Sequence, residues 1–159
     1  MITIIPSLEV MKAVVDNNIS SPASQIRRLA FDNSTDLMSQ SGVSVLLEGR
    51  LYAKIKTKLN LDQQKFFENI YRIDESAKDV NDYDIIKAIK WVAQSESNSK
   101  KVVILSENLT DYQNICNKNI KCITPASFLD LVGQAQKLYS MKIFSTLDDA
   151  LMAILFIIS

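Results

Sequence analysis

The stretch from residue 81 to residue 108, NDYDIIKAIKWVAQSESNSKKVVILSEN, constrains the fold of this chain more than any other. Its first half repeats apolar residues at i, i+3, i+4 and i+7, which predicts a helix with one side against a core; these residues are Ile85, Ala88, Ile89 and Val92. Its second half, VVILSEN, is a short apolar run that becomes polar only at its end, the pattern of a parallel strand covered on both faces. Ligands of open α/β sheets bind beyond the carboxyl ends of such strands.

The composition gives enough apolar material for a core and no general charge signal. A chain of 159 residues that is 47% hydrophobic needs only one domain, and 3 Gly and 3 Pro leave little material for linkers. Lys and Arg number 18, as do Asp and Glu, so net charge predicts neither a nucleic acid nor a membrane as partner. Met1 leads directly into an apolar segment without a basic flank or a cleavage site, and we expect a cytoplasmic protein.

The residue types that are missing remove several classes of site. The chain has no His, and its only cysteines are Cys116 and Cys122, so it lacks the residues for zinc fingers, Cys-His nucleophiles and Ser-His-Asp triads. We expect two reduced thiols that serve packing.

Strand and helix patterns alternate along most of the chain, which predicts a three-layer α/β/α domain with a central, mostly parallel sheet. MITIIP predicts a first strand, and residues 8–15 a first helix. SSPASQIRRLAFD predicts a second helix, and Asp36-Leu37-Met38 a short strand. GVSVLLEGRLYAKIKTKL, residues 42–59, predicts one long helix on the i+4 spacing of its leucines and isoleucine, and NLDQQKFFENIYRI a further helix; the predicted inward residues of the latter are Leu61, Phe66 and Ile70.

Three carboxylates stand out against this pattern. Glu48 shares its side of the predicted long helix with Leu51 and Ile55, and a carboxylate is costly to bury unless it is paired or metal-bound. Asp82 and Asp84 lie at the opening of the helix that follows residue 84. Helix capping is the ordinary explanation for such aspartates, and a chemical role is the alternative.

Five segments, in this order, resemble the PIN-domain fold, and specifically the PIN-like nucleases of prokaryotic toxin-antitoxin systems. They are SSPASQIRRLA, SVLLEGRL, NDYDIIKAI, VILSEN and IKCITPASFLDLV. The similarity covers residues 1–132, which we take as a PIN-like domain, with residues 133–159 as a C-terminal extension whose apolar helix packs on the domain or on a dimer partner.

The resemblance implies a metal site. In the family, three or four carboxylates at the carboxyl ends of the strands hold Mg²⁺ or Mn²⁺, which polarises the RNA phosphate and activates water. Glu48 is similar to the second acid, Asp84 to the third and Asp82 to a lesser member of the same motif, while Asn108 replaces the fourth. The resemblance therefore implies Glu48 and Asp84 as residual catalytic residues, and Glu48, Asp82, Asp84 and Asn108 as metal ligands.

The first acid of the family is missing in the gap-free register, where Pro6 stands in its place. A second register places residues 16–18, Asp-Asn-Asn, on that motif, but it leaves too little chain before Ser21 and Pro22. We prefer the first register. Because two carboxylates replace four, we expect a degenerate site in a non-catalytic or weakly active module that binds RNA or protein. The alternative is an active Mg²⁺- or Mn²⁺-dependent endoribonuclease of the toxin type.

The tail from Ser140, SMKIFSTLDDALMAILFIIS, lies beyond the usual end of the family. Thr146 and Asp149 resemble a capping box before the apolar run at residues 151–158, which is far shorter than the ~20 residues that span a bilayer. KIFSTLDDALMAI also resembles the last strand and helix of STAS domains, which implies a STAS-like protein-interaction switch as a further alternative. The apolar run must be covered by its own domain or by a second copy, and we expect a homodimer.

Overall fold

A single sheet of five parallel strands organises the molecule. The computed structural model describes residues 2–16 and 43–158. Its strands are β1 (Ile2–Pro6), β2 (Val43–Glu48), β3 (Arg72–Asp74), β4 (Lys101–Leu105) and β5 (Ile120–Ile123). They lie in the order β3-β2-β1-β4-β5, and every pairing is parallel. The predicted second helix and the predicted strand at residues 36–38 lie outside the described residues.

Helices flank this sheet, so the predicted three-layer α/β/α fold is confirmed. They are α1 (Leu8–Val15), α2 (Gly49–Lys56), α3 (Leu61–Ile70), α4 (Ile85–Glu96), α5 (Pro125–Ser140) and α6 (Leu147–Met152), with short 3₁₀ turns at Leu109–Asp111 and Gln113–Ile115 and a π-helical segment at Ala153–Ile158. Among the described residues, no helix is both long enough and apolar enough to cross a membrane.

The helix α4 and the strand β4 form as the sequence predicts. Asp84 is the N-cap of α4, and its carboxylate accepts a hydrogen bond from the backbone N–H of Lys87 at 3.1 Å, which satisfies one of the free donors of the first turn. The predicted apolar face of α4 is buried, and four of the five residues of β4 are buried as well. This unit fixes β4 beside β1, in the interior of the sheet.

The prediction of one helix over residues 42–59 is wrong in its first part. Val43–Glu48 forms the strand β2, in which Val43 pairs with Ile2 and Val45 with Ile4 of β1. A strand covered on both faces is a continuous apolar run, and such a run carries no period that separates it from a buried helix. The helix begins only at Gly49.

The helix α3 is confirmed, with Asn60 and Gln63 forming a capping box, and one of its three predicted inward residues, Ile70, packs partly buried against the core. Leu61 and Phe66 are exposed, and Phe67 is the buried residue of this helix. The helix α3 contacts the short edge strand β3. Phe67 lies on the covered side of α3, and its ring centroid is 5.2 Å from that of Tyr71.

The C-terminal residues pack into the same core as the sheet. The helix α5 runs unbroken across the predicted domain boundary after residue 132. Thr146 is the N-cap of α6, and its hydroxyl accepts from the backbone N–H of Asp149 at 3.1 Å. Five tail residues join the main buried cluster; they are Leu147, Ala150, Leu151, Ile154 and Leu155. Residues 142–144, which resemble a STAS strand, form a turn.

Candidate functional site

The strand order places a topological switch point between β1 and β4. The chain continues from β1 to β2 and β3 on one side of the sheet, and β4 and β5 lie on the other. In doubly wound sheets, ligands bind outside the carboxyl ends of the strands at such a point. The residues that end or follow the five strands at this edge are Ser7, Glu48, Asp74, Ser106 and Thr124.

The switch point is closed. Pro6, Ser7 and Ser106 are all buried. The backbone N–H of Ser7 donates to the carbonyl of Leu105 at 2.8 Å, which joins the ends of β1 and β4 directly. The hydroxyl of Ser106 donates to the carbonyl of Asn108 at 3.2 Å and accepts from its N–H at 3.0 Å. Local backbone bonds therefore satisfy the polar groups of this crevice.

The segment that follows β4 extends this closed region. Tyr112, between the two 3₁₀ turns, is fully buried, and burial followed by the nearby negative charge of Glu9 and Asp111 raises the pKa of its hydroxyl. Burial also raises the pKa of Cys122 to about 12, with smaller contributions from Cys116 and Asp111. Both cysteines are free thiols, but only Cys122 packs against the core, since Cys116 is exposed.

At the end of β2, a carboxylate is buried instead. The side chain of Glu48 is 0% exposed and serves as the N-cap of α2. Its Oε2 accepts from the backbone N–H of Arg50 at 2.8 Å and from that of Leu51 at 3.1 Å. These bonds satisfy two of the free donors at the start of α2, and the positive end of the helix dipole favours the negative charge.

Arg50 neutralises Glu48 and connects it to a distant loop. The Nη1 of Arg50 lies 2.9 Å from Oε1 of Glu48 in a charge-assisted hydrogen bond. Its Nη2 donates to the carbonyls of Val80 at 3.1 Å and Ala77 at 3.4 Å. Its buried Nε has no hydrogen-bond partner and lies 3.4 Å from Oδ1 of Asp82, an ion-pair distance without hydrogen-bond geometry.

Gly49 allows the chain after β3 to lie directly on the start of α2. A Cβ at this position would be 2.7 Å from Cγ of Glu75 and 3.3 Å from the carbonyl oxygen of Asp74. Glycine is therefore needed for the close approach of the two segments and not for an unusual backbone angle. The approach holds the loop where Arg50 can reach it.

An open cleft of about 770 Å³ lies over this corner. Its charged lining residues are three cations, Lys12, Arg50 and Lys54, and three carboxylates, Glu48, Glu75 and Asp82, with the exposed ring of Tyr83 at the rim. The formal charges of the lining cancel. The cleft therefore has no excess of positive charge for a polyanion and no excess of negative charge for a cation.

The residues that the sequence singles out as metal ligands lie in different settings. Glu48 is paired with Arg50, Asp82 is 89% exposed at the cleft rim, and Asp84 caps α4. Asn108 follows β4 and accepts from Oγ1 of Thr110 at 2.7 Å through its side-chain oxygen. Within residues 2–16 and 43–158, no group of three or more His, Cys, Asp or Glu side chains is arranged to hold a metal ion.

The two registers for the first acid lead to different places. Pro6 is the last residue of β1, at the carboxyl edge of the sheet. Asp16 lies beyond the far end of α1, where its carboxylate accepts from Nζ of Lys58 at 3.1 Å. Pro6 therefore lies at a strand end, and Asp16 does not.

Arg50 is the residue of this site that the sequence pattern does not single out. Its contact with Glu48 spans two positions, a spacing that does not bring side chains together along a helix. The contact forms because Glu48 is the last residue of a strand. Recognising VSVLLE as a strand would have placed Glu48 at an N-cap and Arg50 beside it.

Comparison with protein-family models found no match, and neither did comparison with curated proteins or with solved structures. The fold and the site define a parallel three-layer α/β domain with a neutralised carboxylate at the end of β2.

Proposed function

We propose that this protein is a PIN-like interaction module that works by binding another protein and does not hydrolyse RNA. The observation that carries the proposal is the Arg50 guanidinium on the carboxylate of Glu48, 2.9 Å away. Glu48 is the acid that the PIN resemblance makes central to a metal site.

A divalent ion needs oxygen ligands that are free and negatively charged. Both oxygens of Glu48 are already engaged, Oε2 by two backbone N–H groups and Oε1 by Arg50. A metal ion at Glu48 would have to displace the guanidinium or approach a fixed positive charge. Asp84 gives no substitute, since its carboxylate is engaged in the N-cap of α4.

The choice of a protein over RNA as partner rests on charge and on apolar exposure. Binding of a nucleic acid draws most of its affinity from Lys and Arg that meet phosphates, and the cations of the cleft are matched by equal numbers of carboxylates. The described surface also exposes large apolar side chains, among them Tyr83, Met141, Ile143 and Ile157. Exposed apolar clusters are typical of protein-protein contact sites.

The experiment measures cleavage of single-stranded RNA with Mg²⁺ or Mn²⁺, and the melting temperature with and without Mn²⁺. We expect no metal-dependent cleavage and no Mn²⁺-dependent rise in melting temperature for the native chain. Arg50→Gln should gain a measurable Mn²⁺-dependent rise, because it frees Oε1 of Glu48. Lys54→Gln, in the same cleft but without a bond to Glu48, is the matched control and should behave as the native chain.

Two outcomes would overturn the proposal. Native protein that cleaves RNA with Mn²⁺ and loses this activity in Glu48→Gln would make it an endoribonuclease. Fluorescence anisotropy with labelled oligouridine gives the second outcome: binding that is lost in Lys12→Gln or Lys54→Gln would make RNA the partner of the cleft.

A further inference from the structure

The guanidinium of Arg50 keeps one hydrogen-bond donor free. Its Nη1 donates to Glu48, and its Nη2 donates to the carbonyls of Ala77 and Val80. Its Nε–H is buried and has no hydrogen-bond partner among the described residues. The large majority of buried polar groups in folded proteins are hydrogen-bonded, so a free N–H beside an open cleft is a point where a ligand gains a bond. Because the guanidinium is charged, a carboxylate binds this donor more strongly than a neutral acceptor does.

The side chain of Asp82 lies beside this donor without bonding to it. Its Oδ1 is 3.4 Å from the Nε of Arg50, and because the side chain is 89% exposed the ion pair contributes little to stability. The turn that carries Asp82 is held by other groups. The N–H of Tyr83 donates to Oδ1 of Asn81 at 2.9 Å, and the N–H of Asp84 donates to the carbonyl of Asn81 at 3.0 Å. The carboxylate of Asp82 can therefore rotate away from Arg50 without breaking a backbone bond of the turn.

The charges of the cleft lining match one incoming carboxylate. Apart from the bonded pair at the end of β2, the lining carries two cations, Lys12 and Lys54, and two anions, Glu75 and Asp82. When the side chain of Asp82 turns to solvent, one positive charge of the lining is left without a counterpart. A single carboxylate restores the balance, whereas a polyanion such as RNA brings several negative charges to one surplus cation.

We propose that the cleft beside Glu48 binds a single Asp or Glu side chain of a partner protein, which takes the place of Asp82 at the Nε–H of Arg50. This partner chemistry belongs to the site already described, and it rests on the proposed function, the binding of another protein. The ring of Tyr83 at the rim is 85% exposed and gives the partner an aromatic contact beside its acid, as aromatic side chains do in protein interfaces. Asp82 acts as an internal competitor of the partner's carboxylate.

The test uses two short peptides that differ by one charge, acetyl-Leu-Glu-Leu-amide and acetyl-Leu-Gln-Leu-amide. NMR of the isotope-labelled full chain, in buffer with a chelator of divalent metals, follows the Nε–H resonance of Arg50 as each peptide is added. With the Glu peptide we expect a saturable downfield shift, since the N–H gains an acceptor, and dissociation at roughly millimolar concentration. The Gln peptide should give no saturable shift.

Variants of the same loop test the competition by Asp82. Asp82→Asn should tighten binding of the Glu peptide at least about fivefold, because it removes the competing charge and keeps the size of the side chain. Asp79→Asn is the matched control, since it removes the same charge from the same loop at a position that does not line the cleft. It should tighten binding less than about twofold, through screened long-range charge alone. Tyr83→Ala should weaken binding about threefold and leave the direction of the Nε–H shift unchanged.

Three results would overturn the inference. The first is an Nε–H resonance of Arg50 that does not respond to the Glu peptide in the native chain or in Asp82→Asn. The second is an equal gain in affinity for Asp82→Asn and Asp79→Asn, which would mean that only the net charge of the loop matters. The third is a saturable shift with oligouridine and none with the Glu peptide, which would make an RNA phosphate the ligand.

These results are independent of the test of the proposed function, because the chelator removes divalent metals. A chain that shows the expected Nε–H shift and yet cleaves RNA with Mn²⁺ would overturn the proposed function alone. A chain that neither cleaves RNA nor responds to the Glu peptide would overturn this inference alone.

Discussion

Two corners of the same sheet edge differ in how their buried polar groups are satisfied. At the switch point between β1 and β4, Ser7 and Ser106 are buried, and local backbone bonds satisfy them. At the end of β2, Glu48 is just as buried, but Arg50 reaches it from the side of an open cleft. Topology alone favours the first corner as a binding site, and side-chain chemistry favours the second.

The difference follows from the charge that each corner has to accommodate. A hydroxyl is satisfied by one or two neutral hydrogen bonds, which nearby backbone can supply. A buried carboxylate needs an opposite charge as well, and the only long side chain that supplies one to Glu48 in the described structure is Arg50. Because Arg50 also bonds the carbonyls of Ala77 and Val80, the β2 corner depends on a loop far along the chain, whereas the switch point depends on its neighbours.

The largest effect should come from removing the buried carboxylate. Glu48→Ala leaves Arg50 without its partner and two N–H groups of α2 without a cap, so we expect the free energy of unfolding to fall by about 3–5 kcal/mol. Asp84→Ala removes an exposed N-cap that accepts from a single backbone N–H, and it should cost about 1 kcal/mol. Urea unfolding of both variants measures the difference. Equal losses would mean that the ion pair with Arg50 contributes nothing beyond capping.

A smaller loss should follow from placing charge at the switch point. Pro6→Asp combined with Asn108→Asp puts a carboxylate at a buried position, and we expect a loss of about 2–3 kcal/mol that Mn²⁺ does not recover. Asn108→Asp alone, at an exposed position, should change stability by less than about 0.5 kcal/mol and serves as the control. The readout is thermal melting with and without Mn²⁺. A rise of several degrees with Mn²⁺ in the double variant would show that the closed corner accepts a metal ion.

The smallest expected effect is a difference in reactivity between the two cysteines. It tests whether the region beside β4 excludes water. The thiolate is the reactive form of cysteine, and the pKa of Cys122 is raised to about 12, so only a very small fraction of this thiol is ionised at pH 8. Iodoacetamide should therefore modify the exposed Cys116 at least about tenfold faster than Cys122.

The rate at which iodoacetamide modifies Cys122 should also rise with pH. The raised pKa means that the reactive fraction of Cys122 keeps growing by about tenfold per pH unit between pH 8 and 11. Peptide mass spectrometry of timed samples follows the two sites separately. Modification of Cys122 first, or a rate that levels off near pH 9, would mean that this region is open to water.

The sequence predicts the elements whose period is unambiguous. The repeat in α4 and the apolar run of β4 are buried as expected, since one has a clear helical period and the other is bounded by a polar loop and a polar end. The sequence predicts helix instead of the strand β2 because Leu47, Leu51 and Ile55 keep an i+4 spacing across the junction at Gly49. Only pairing with β1, a contact between distant parts of the chain, identifies the strand.

The same limit applies to the site. Glu48 stands out in the sequence because a carboxylate beside apolar residues needs a partner, and Glu48 is indeed buried. Which partner it takes depends on where β2 ends, on the loop carbonyls that hold Arg50, and on the lack of space beside Gly49. These contacts join segments that are far apart in the sequence, so no local sequence pattern predicts them.

The contact between Lys101 and Phe156 places the end of the tail at the opposite edge of the sheet from the cleft. Lys101 opens β4 at the amino edge of the sheet, and its Nζ lies 5.6 Å from the centroid of the Phe156 ring, so the end of the tail is anchored at that edge. The cleft beside Glu48 lies at the carboxyl edge, about one strand length away, or roughly 16 Å for five residues. A partner that binds in the cleft would therefore not have to displace the tail.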